Sequence, residues 1–233
     1  MVKARPIVLG VLLSLSTVTP AIAQDDSKAA RPLVLDRVVA RWRTVEQESR
    51  GSGHLIFARE LAFEARLEAM ALGDGPTDKL ADRHIRAALA RHVTESLLEE
   101  LPLDRAPLPT EIADRAAKAR KALETRVGGV ERLEKAREKE RMTVDEVDAL
   151  LRRTARASLY LDRMVAPLLD PTDIELREMH AAGKTPYSGE RFVDVVDKLR
   201  RLVLSQRMTA AVDEFWQNAR SRIVITWVTK KQQ

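Results

Sequence analysis

Cysteine is absent from the 233 residues, so neither disulfide bonds nor thiolate chemistry is available to this protein. Aromatic residues are few, with four Phe, two Tyr and three Trp. The sequence also lacks a G-x-S-x-G motif and a glycine-rich phosphate-binding loop. These absences exclude cysteine nucleophiles and thiol redox reactions, and we predict neither a catalytic residue nor a cofactor.

Histidine is scarce as well, with four residues, so a metal site would require histidines to converge with carboxylates. His84 and His92 lie eight positions apart on one predicted helix, about 80° out of line around its axis. They do not form the i, i+4 pair of a helical zinc site. We therefore expect two surface or boundary histidines and no metal ion. The abundant paired carboxylates are expected on solvated, charged helical faces.

The charge balance is weakly basic, with 40 Lys and Arg against 35 Asp and Glu. Acidic and basic residues alternate along the predicted helices, which is typical of a solvated helix surface and not of a nucleic-acid interface. We predict no nucleic-acid binding.

The amino terminus has the three-part pattern of a secretory signal peptide. Lys3 and Arg5 are followed by an apolar stretch from Ile7 to Val18 and by the small-residue triplet that ends at Ala23. This stretch is shorter than the roughly 20 residues that span a bilayer, which disfavours an uncleaved anchor. We predict a signal peptide over residues 1–23, cleavage after Ala23, a periplasmic location and no stable membrane insertion.

Strands are predicted at both ends of the mature chain. Residues 33–58 contain two β-branched segments, LVLDRVVARW and HLIFA, separated by a polar loop over residues 43–53. Residues 222–229 (RIVITWVT) alternate between apolar and polar side chains. Because an isolated hairpin is marginally stable, we expect the last strand to join the first two in one small sheet.

The segments between these strands predict helices over residues 59–182 and a long helix over residues 190–221. One helix is expected to begin near Thr77, and capping boxes begin two others at Thr143 and Thr172. Pro167 is expected to end the helix that starts at Thr143. The fold class is therefore mainly α with a small β-sheet, and the longest helix is expected to be the spine against which shorter helices pack.

Five segments follow one another in a distinctive order: LDRVVARW, HLIFARELAFEARLEAM, VGGVERLEKAREKERMTVDEVDALLRRTARASLYLDRMV, DPTDIELREMH and YSGERFVDVVDKLRRLVLSQRMTAAVDEFWQNARSRIVI. This order resembles the amino-terminal chaperone domain of the periplasmic SurA family. The resemblance is one of pattern and covers nearly the whole mature chain, residues 24–233, which implies a single chaperone domain.

Proteins of that family usually carry a parvulin prolyl-isomerase module of roughly a hundred residues between these helices. Only about 26 residues separate Met164 from Arg191 here, which leaves no room for one. The resemblance thus implies ATP-independent binding of unfolded polypeptides, including outer-membrane protein precursors, without isomerase activity. A structural adaptor that docks one dedicated envelope partner and a residual prolyl isomerase are the alternatives.

Client binding is expected in an apolar cleft between the long last helix and the earlier helices. The sequence does not separate such a cleft from the core. The candidate client-binding residues are Met164, Phe192, Val196, Leu199, Met208, Phe215 and Trp216.

Overall fold

A computed structural model describes residues 36–45, 53–74 and 79–228. The predicted signal peptide, the start of the first predicted strand and most of the loop over residues 43–53 lie outside the described residues. Within them the chain is mainly α-helical with one small antiparallel sheet, as predicted. None of the helices in the described ranges is long and apolar enough to cross a membrane.

The sheet brings the two ends of the described chain together. Its strands are β1 (Val38–Thr44), β2 (His54–Phe57) and β3 (Ile223–Trp227), in the order β2-β1-β3. Trp42 of β1 lies opposite His54 on one side and Ile225 on the other. Ala40, Trp42 and Ile56 are fully buried, because side chains alternate across a strand and these three share the inner face. The predicted three-stranded arrangement is confirmed.

Helices occupy most of the chain between β2 and β3. Their bounds are α1 (Ala58–Ala71), α2 (Asp82–Glu100), α3 (Pro109–Val127), α4 (Val130–Lys139), α5 (Val144–Tyr160), α6 (Ala166–Leu169), α7 (Asp173–Ala181) and α8 (Phe192–Arg220). Helix α2 begins at Asp82 and not near Thr77, because Ala81 already has extended backbone angles and is the N-cap.

Pro167 does not end the helix that starts at Thr143. A π-helical turn (Leu161–Val165) follows α5, and the chain continues directly into α6, where Pro167 lies in the first turn. Proline has no amide hydrogen to donate and is tolerated in a first turn. The wider turn, in which the Ala166 amide donates to the Leu161 carbonyl, therefore accommodates the proline without ending the helical path.

The two predicted capping boxes differ. At Thr143 both halves form: the hydroxyl accepts from the Glu146 amide at 3.2 Å, and the Glu146 carboxylate accepts from the Thr143 amide at 2.6 Å. At Thr172 the hydroxyl accepts from the Glu175 amide at 3.3 Å. The carboxylate of Glu175 pairs with Arg207 on α8, so this side chain fastens α7 to α8.

Helix α1, and not the long α8, lies at the centre of the packing. Leu61 and all residues from Phe63 to Met70 are buried. Phe63 and Leu67 belong to an apolar cluster with α3, α4 and α5, whereas Leu61 and Ala65 belong to a second cluster with the sheet and α2. Helix α8 makes its main contacts with α6, α7 and β3. The prediction that α8 is the spine is wrong. The helices α2, α3 and α4 pack against α1, which is enclosed on opposite faces, and α8 has its main contacts elsewhere.

Candidate functional site

Two neighbouring hollows follow α2 and α5, and we call them together the α2–α5 groove. The first, of about 270 Å³, lies between α1, α2, α3 and α5. The second, of about 370 Å³, lies between α2, α5 and the distal part of α8. Both are lined by Arg91, Glu95 and Thr154, so the hollows adjoin. The apolar lining of the second comes from Ala87, Ala90, Leu98, Ala157, Leu161, Val212 and Trp216.

The distal half of α8 leaves an apolar face partly uncovered beside the second hollow. The three buried residues of this helix are Val195, Leu199 and Val203, all in its first half. No residue from 204 to 220 is buried. The partly exposed apolar side chains share one face at helical spacing: Leu204, Met208, Val212, Phe215 and Trp216. Neighbouring elements thus cover this face incompletely.

The structure divides the seven candidate client-binding residues into separate places. Trp216 lines the second hollow, and Met208 and Phe215 share its helical face. Met164 is partly exposed in the π-helical turn. Phe192 and Val196 pack against the apolar cluster between α7 and α8.

The assignment of Leu199 to the client-binding residues is wrong. It is fully buried against Leu176 of α7, so it belongs to the core between α7 and α8 and has no exposed surface for a client. Its helical spacing was the only reason to group Leu199 with the other candidate client-binding residues. Helix α7, held by the Arg207–Glu175 pair, covers the first half of α8. In the second half Trp216 packs against the cluster of the sheet and α2, and the apolar side chains there stay partly exposed.

Charged side chains fill the space between α1, α2 and α5. Arg153 of α5 donates to Glu60 at 2.7 Å and to Glu64, which lies one turn further along α1. Its Nε lies 3.6 Å from Oε2 of Glu95, whose carboxylate also accepts the Thr154 hydroxyl at 2.9 Å. The Nδ1 of His92 lies 3.3 Å from Oε2 of Glu64. We call these five residues, Glu60, Glu64, His92, Glu95 and Arg153, the charged cluster.

Burial and charge act on Glu64 and Glu95 of this cluster in different proportions. Burial alone raises the pKa of Glu64, but the contact with His92 and the charge of Arg153 outweigh it, so the pKa is lowered. Burial also raises the pKa of Glu95, and there the attraction of Arg153 is too weak to reverse it. For Arg153, burial lowers the pKa, but Glu64 and Glu60 outweigh burial and raise it.

Glu95 therefore gives a prediction with a definite sign. Its folded-state pKa lies above the ordinary value of 4.5, so folding takes up protons above that pH and stability falls as the pH rises. Glu95→Gln, which keeps an acceptor for Thr154, should raise the free energy of unfolding at pH 7.5, and this gain should vanish towards pH 4.5. Urea titrations at both pH values measure it, with the exposed Glu178→Gln as control. Destabilisation at pH 7.5 would mean that attraction to Arg153 dominates.

The two histidines of α2 are not at the surface. His84 is 2% exposed and His92 is 5% exposed, so the expectation of surface or boundary positions is wrong. Nε2 of His84 lies 2.7 Å from Oδ2 of Asp74 and holds the end of the segment after α1 against α2. Hydrogen bonds from Arg83 and His84 lower the pKa of Asp74.

Two arginines of the groove share one carboxylate. Arg91 pairs with Oε1 of Glu68 at 2.5 Å, and Arg126 of α3 lies 3.7 Å from the same atom. Burial and the neighbouring charge of Arg91 lower the pKa of Arg126. The wall between the two hollows is therefore charged, although the rest of the lining is largely apolar.

Sequence reasoning missed the charged cluster. It assigned paired carboxylates to solvated faces, whereas Glu64 is buried on the enclosed helix α1. The available signal was the i, i+4 spacing of Glu60 and Glu64 in a helix with apolar residues on several faces. Comparison of the chain with protein-family models, with curated proteins and with solved structures finds no match.

Proposed function

We propose that this protein is an ATP-independent periplasmic chaperone that holds unfolded polypeptides, including outer-membrane protein precursors, in the α2–α5 groove. The observation that carries the proposal is the incompletely covered apolar face of α8 beside the second hollow. Apolar grooves between helices bind amphipathic or extended polypeptide segments. The signal-peptide pattern of residues 1–23 and the resemblance to the SurA family support the location and the class of client.

The groove has the chemistry of a permissive binding surface. Small side chains such as Ala87, Ala90 and Ala157 leave room along its floor, and Met208 and Trp216 supply adaptable and broad apolar contacts beside it. Binding without an energy source requires release by dissociation alone, which favours weak contacts over a tight pocket. A shallow, partly charged groove meets this requirement.

Val212→Asp is expected to weaken client binding at least about tenfold, a loss of about 1.4 kcal/mol, because it places a charge in the apolar lining. The measurement is suppression of light scattering by a denatured outer-membrane protein diluted from urea. Val193→Asp is the matched control, since Val193 lies on the same helix, is 72% exposed and is remote from the groove lining.

The wild-type protein should suppress aggregation at a stoichiometric excess, and an absence of any effect would refute the chaperone proposal. Tight 1:1 binding to one folded envelope protein, with no affinity for unfolded chains, would identify the structural adaptor instead. Equal loss in Val212→Asp and Val193→Asp would show that clients do not use this groove. Circular dichroism of both variants establishes that they fold.

A further inference from the structure

We propose that Glu60, Glu64 and His92 form a binding site for one divalent transition-metal ion of the Zn²⁺ class. This goes beyond the proposed chaperone activity and does not depend on it. No metal ion was expected from the sequence, because the three donors come from two helices. Glu60 and Glu64 share a face of α1, and α2 brings His92 against it.

The separations between donor atoms match a metal coordination shell. One oxygen of each carboxylate and Nδ1 of His92 all lie within 4.8 Å of one another. Nδ1 of His92 lies 3.3 Å from Oε2 of Glu64 and 3.7 Å from Oε1 of Glu60. Ligands at about 2.0–2.2 Å from a tetrahedral ion are roughly 3.4 Å apart, so the ion fits with little rearrangement.

Two buried polar atoms without a well-formed hydrogen bond point to a ligand. Nδ1 of His92 and Oε2 of Glu64 are inaccessible to solvent and lie 3.3 Å apart, and neither makes a hydrogen bond of good geometry with any described residue. Both side chains are 6% exposed. Buried polar atoms without partners are costly, and in native proteins such atoms usually have a partner, which can be an ion. A metal ion between these two atoms would use the lone pairs of both.

Arg153 is compatible with the ion as an outer partner. It donates to Oε1 of Glu60 and to Oε1 of Glu64, so Oε2 of Glu64 is left facing His92. Such outer hydrogen bonds orient ligating carboxylates in metal sites. Within the charged cluster three carboxylates stand against one guanidinium when His92 is neutral, and the charge of Arg91 also acts on Glu64 and Glu95 from outside the cluster. A divalent cation would add to the positive charge that offsets these carboxylates.

The donor set specifies the class of ion, and a neighbouring hollow provides access to the site. One imidazole nitrogen with two carboxylate oxygens suits Zn²⁺ and its neighbours, whereas Ca²⁺ and Mg²⁺ prefer oxygen ligands alone. A hollow of about 430 Å³ lined by Glu60, His92 and Arg153 also reaches Trp42, His54 and Ser96. This hollow offers an ion an approach to Glu60 and His92.

Binding to the full mature chain, prepared without a histidine tag and treated with a chelator, tests the proposal. Titration calorimetry with Zn²⁺ should give one site per chain. Co²⁺ should give visible absorption bands of the intensity typical of a four-coordinate site. His92→Gln and Glu64→Gln should each weaken affinity by more than about 10–100-fold, the loss typical of an outer-shell partner alone. His84→Gln is the matched control, because it removes the other buried histidine of α2.

Failure of the wild-type chain to bind Zn²⁺ or Co²⁺ at 100 µM, on the order of one hundred times a micromolar Kd, would overturn the proposal. So would unchanged affinity in His92→Gln, since binding would then involve other residues such as His54. If a variant fails to fold, the Co²⁺ spectrum of the wild-type chain decides, because a spectrum of weak, six-coordinate type contradicts the three-ligand site.

Discussion

Arg153→Ala is expected to lower the free energy of unfolding by about 3–5 kcal/mol, because it leaves the buried carboxylate of Glu64 and the partly buried carboxylate of Glu60 without their cation. Arg153 is 13% exposed and reaches from α5 to α1 and to Glu95 of α2. The substitution therefore removes the link between three helices. Urea denaturation followed by circular dichroism at pH 7.5 measures the loss.

Two further variants separate the contributions to this loss. Arg156→Ala is the matched control, since Arg156 lies on the same helix, is 48% exposed and pairs with Glu99 at the surface, where an ion pair contributes less than about 1 kcal/mol. Arg153→Met keeps much of the aliphatic packing and removes the charge together with its hydrogen bonds to Glu60 and Glu64. It should be nearly as destabilising as Arg153→Ala. Near wild-type stability of Arg153→Met would assign the effect to packing and contradict the electrostatic account.

The architecture was predictable from the sequence because local patterns decide it. Alternation in β1 and β3 identified the strands, and the glycine at position 128, with φ of 89°, ends α3 as a left-handed C-cap. Thr143 and Glu146 form the complete capping box that their spacing indicates. In each of these cases the residues that interact are close in sequence, so the sequence pattern predicts the local structure.

The charged cluster was not predictable in the same way, because its partners are remote in sequence. Glu60 and Glu64 are one helical turn apart, but Arg153 lies about 90 residues away and His92 belongs to another helix. A pair of glutamates at positions i and i+4 can lie on a solvated helix face or on an enclosed one. Which faces of α1 are enclosed depends on the docking of α2, α3 and α5, which periodicity does not specify.

The same reason explains the error at Leu199. Its helical spacing from Val196 and Phe192 is that of an apolar face, and the sequence does not indicate which part of that face α7 covers. Docking of α7 buries Leu199 and leaves Met208 and Trp216 partly exposed on the next turns. Core and groove are therefore successive parts of one helix, and only the tertiary structure separates them.

Phe63→Ala is expected to lower the free energy of unfolding by about 3–5 kcal/mol, the cost of removing a fully buried aromatic ring. Phe63 of α1 belongs to the cluster that joins α1 to α3, α4 and α5, whose members include Leu123, Leu133 and Leu151. Small domains have unfolding free energies of about 5–15 kcal/mol, so this single change removes a large share of the total. Urea denaturation of the mature chain measures it.

Phe215→Ala is the matched control and tests the division between core and groove. Phe215 is partly exposed on the distal half of α8, so its loss should cost much less stability than the loss of Phe63 but should reduce suppression of client aggregation. Phe63→Ala, measured under conditions in which the variant remains folded, should retain aggregation suppression. If Phe215→Ala destabilises the chain as much as Phe63→Ala and leaves client binding intact, the distal face of α8 belongs to the core. The chaperone groove would then have to lie elsewhere, because this face supplies one of its walls.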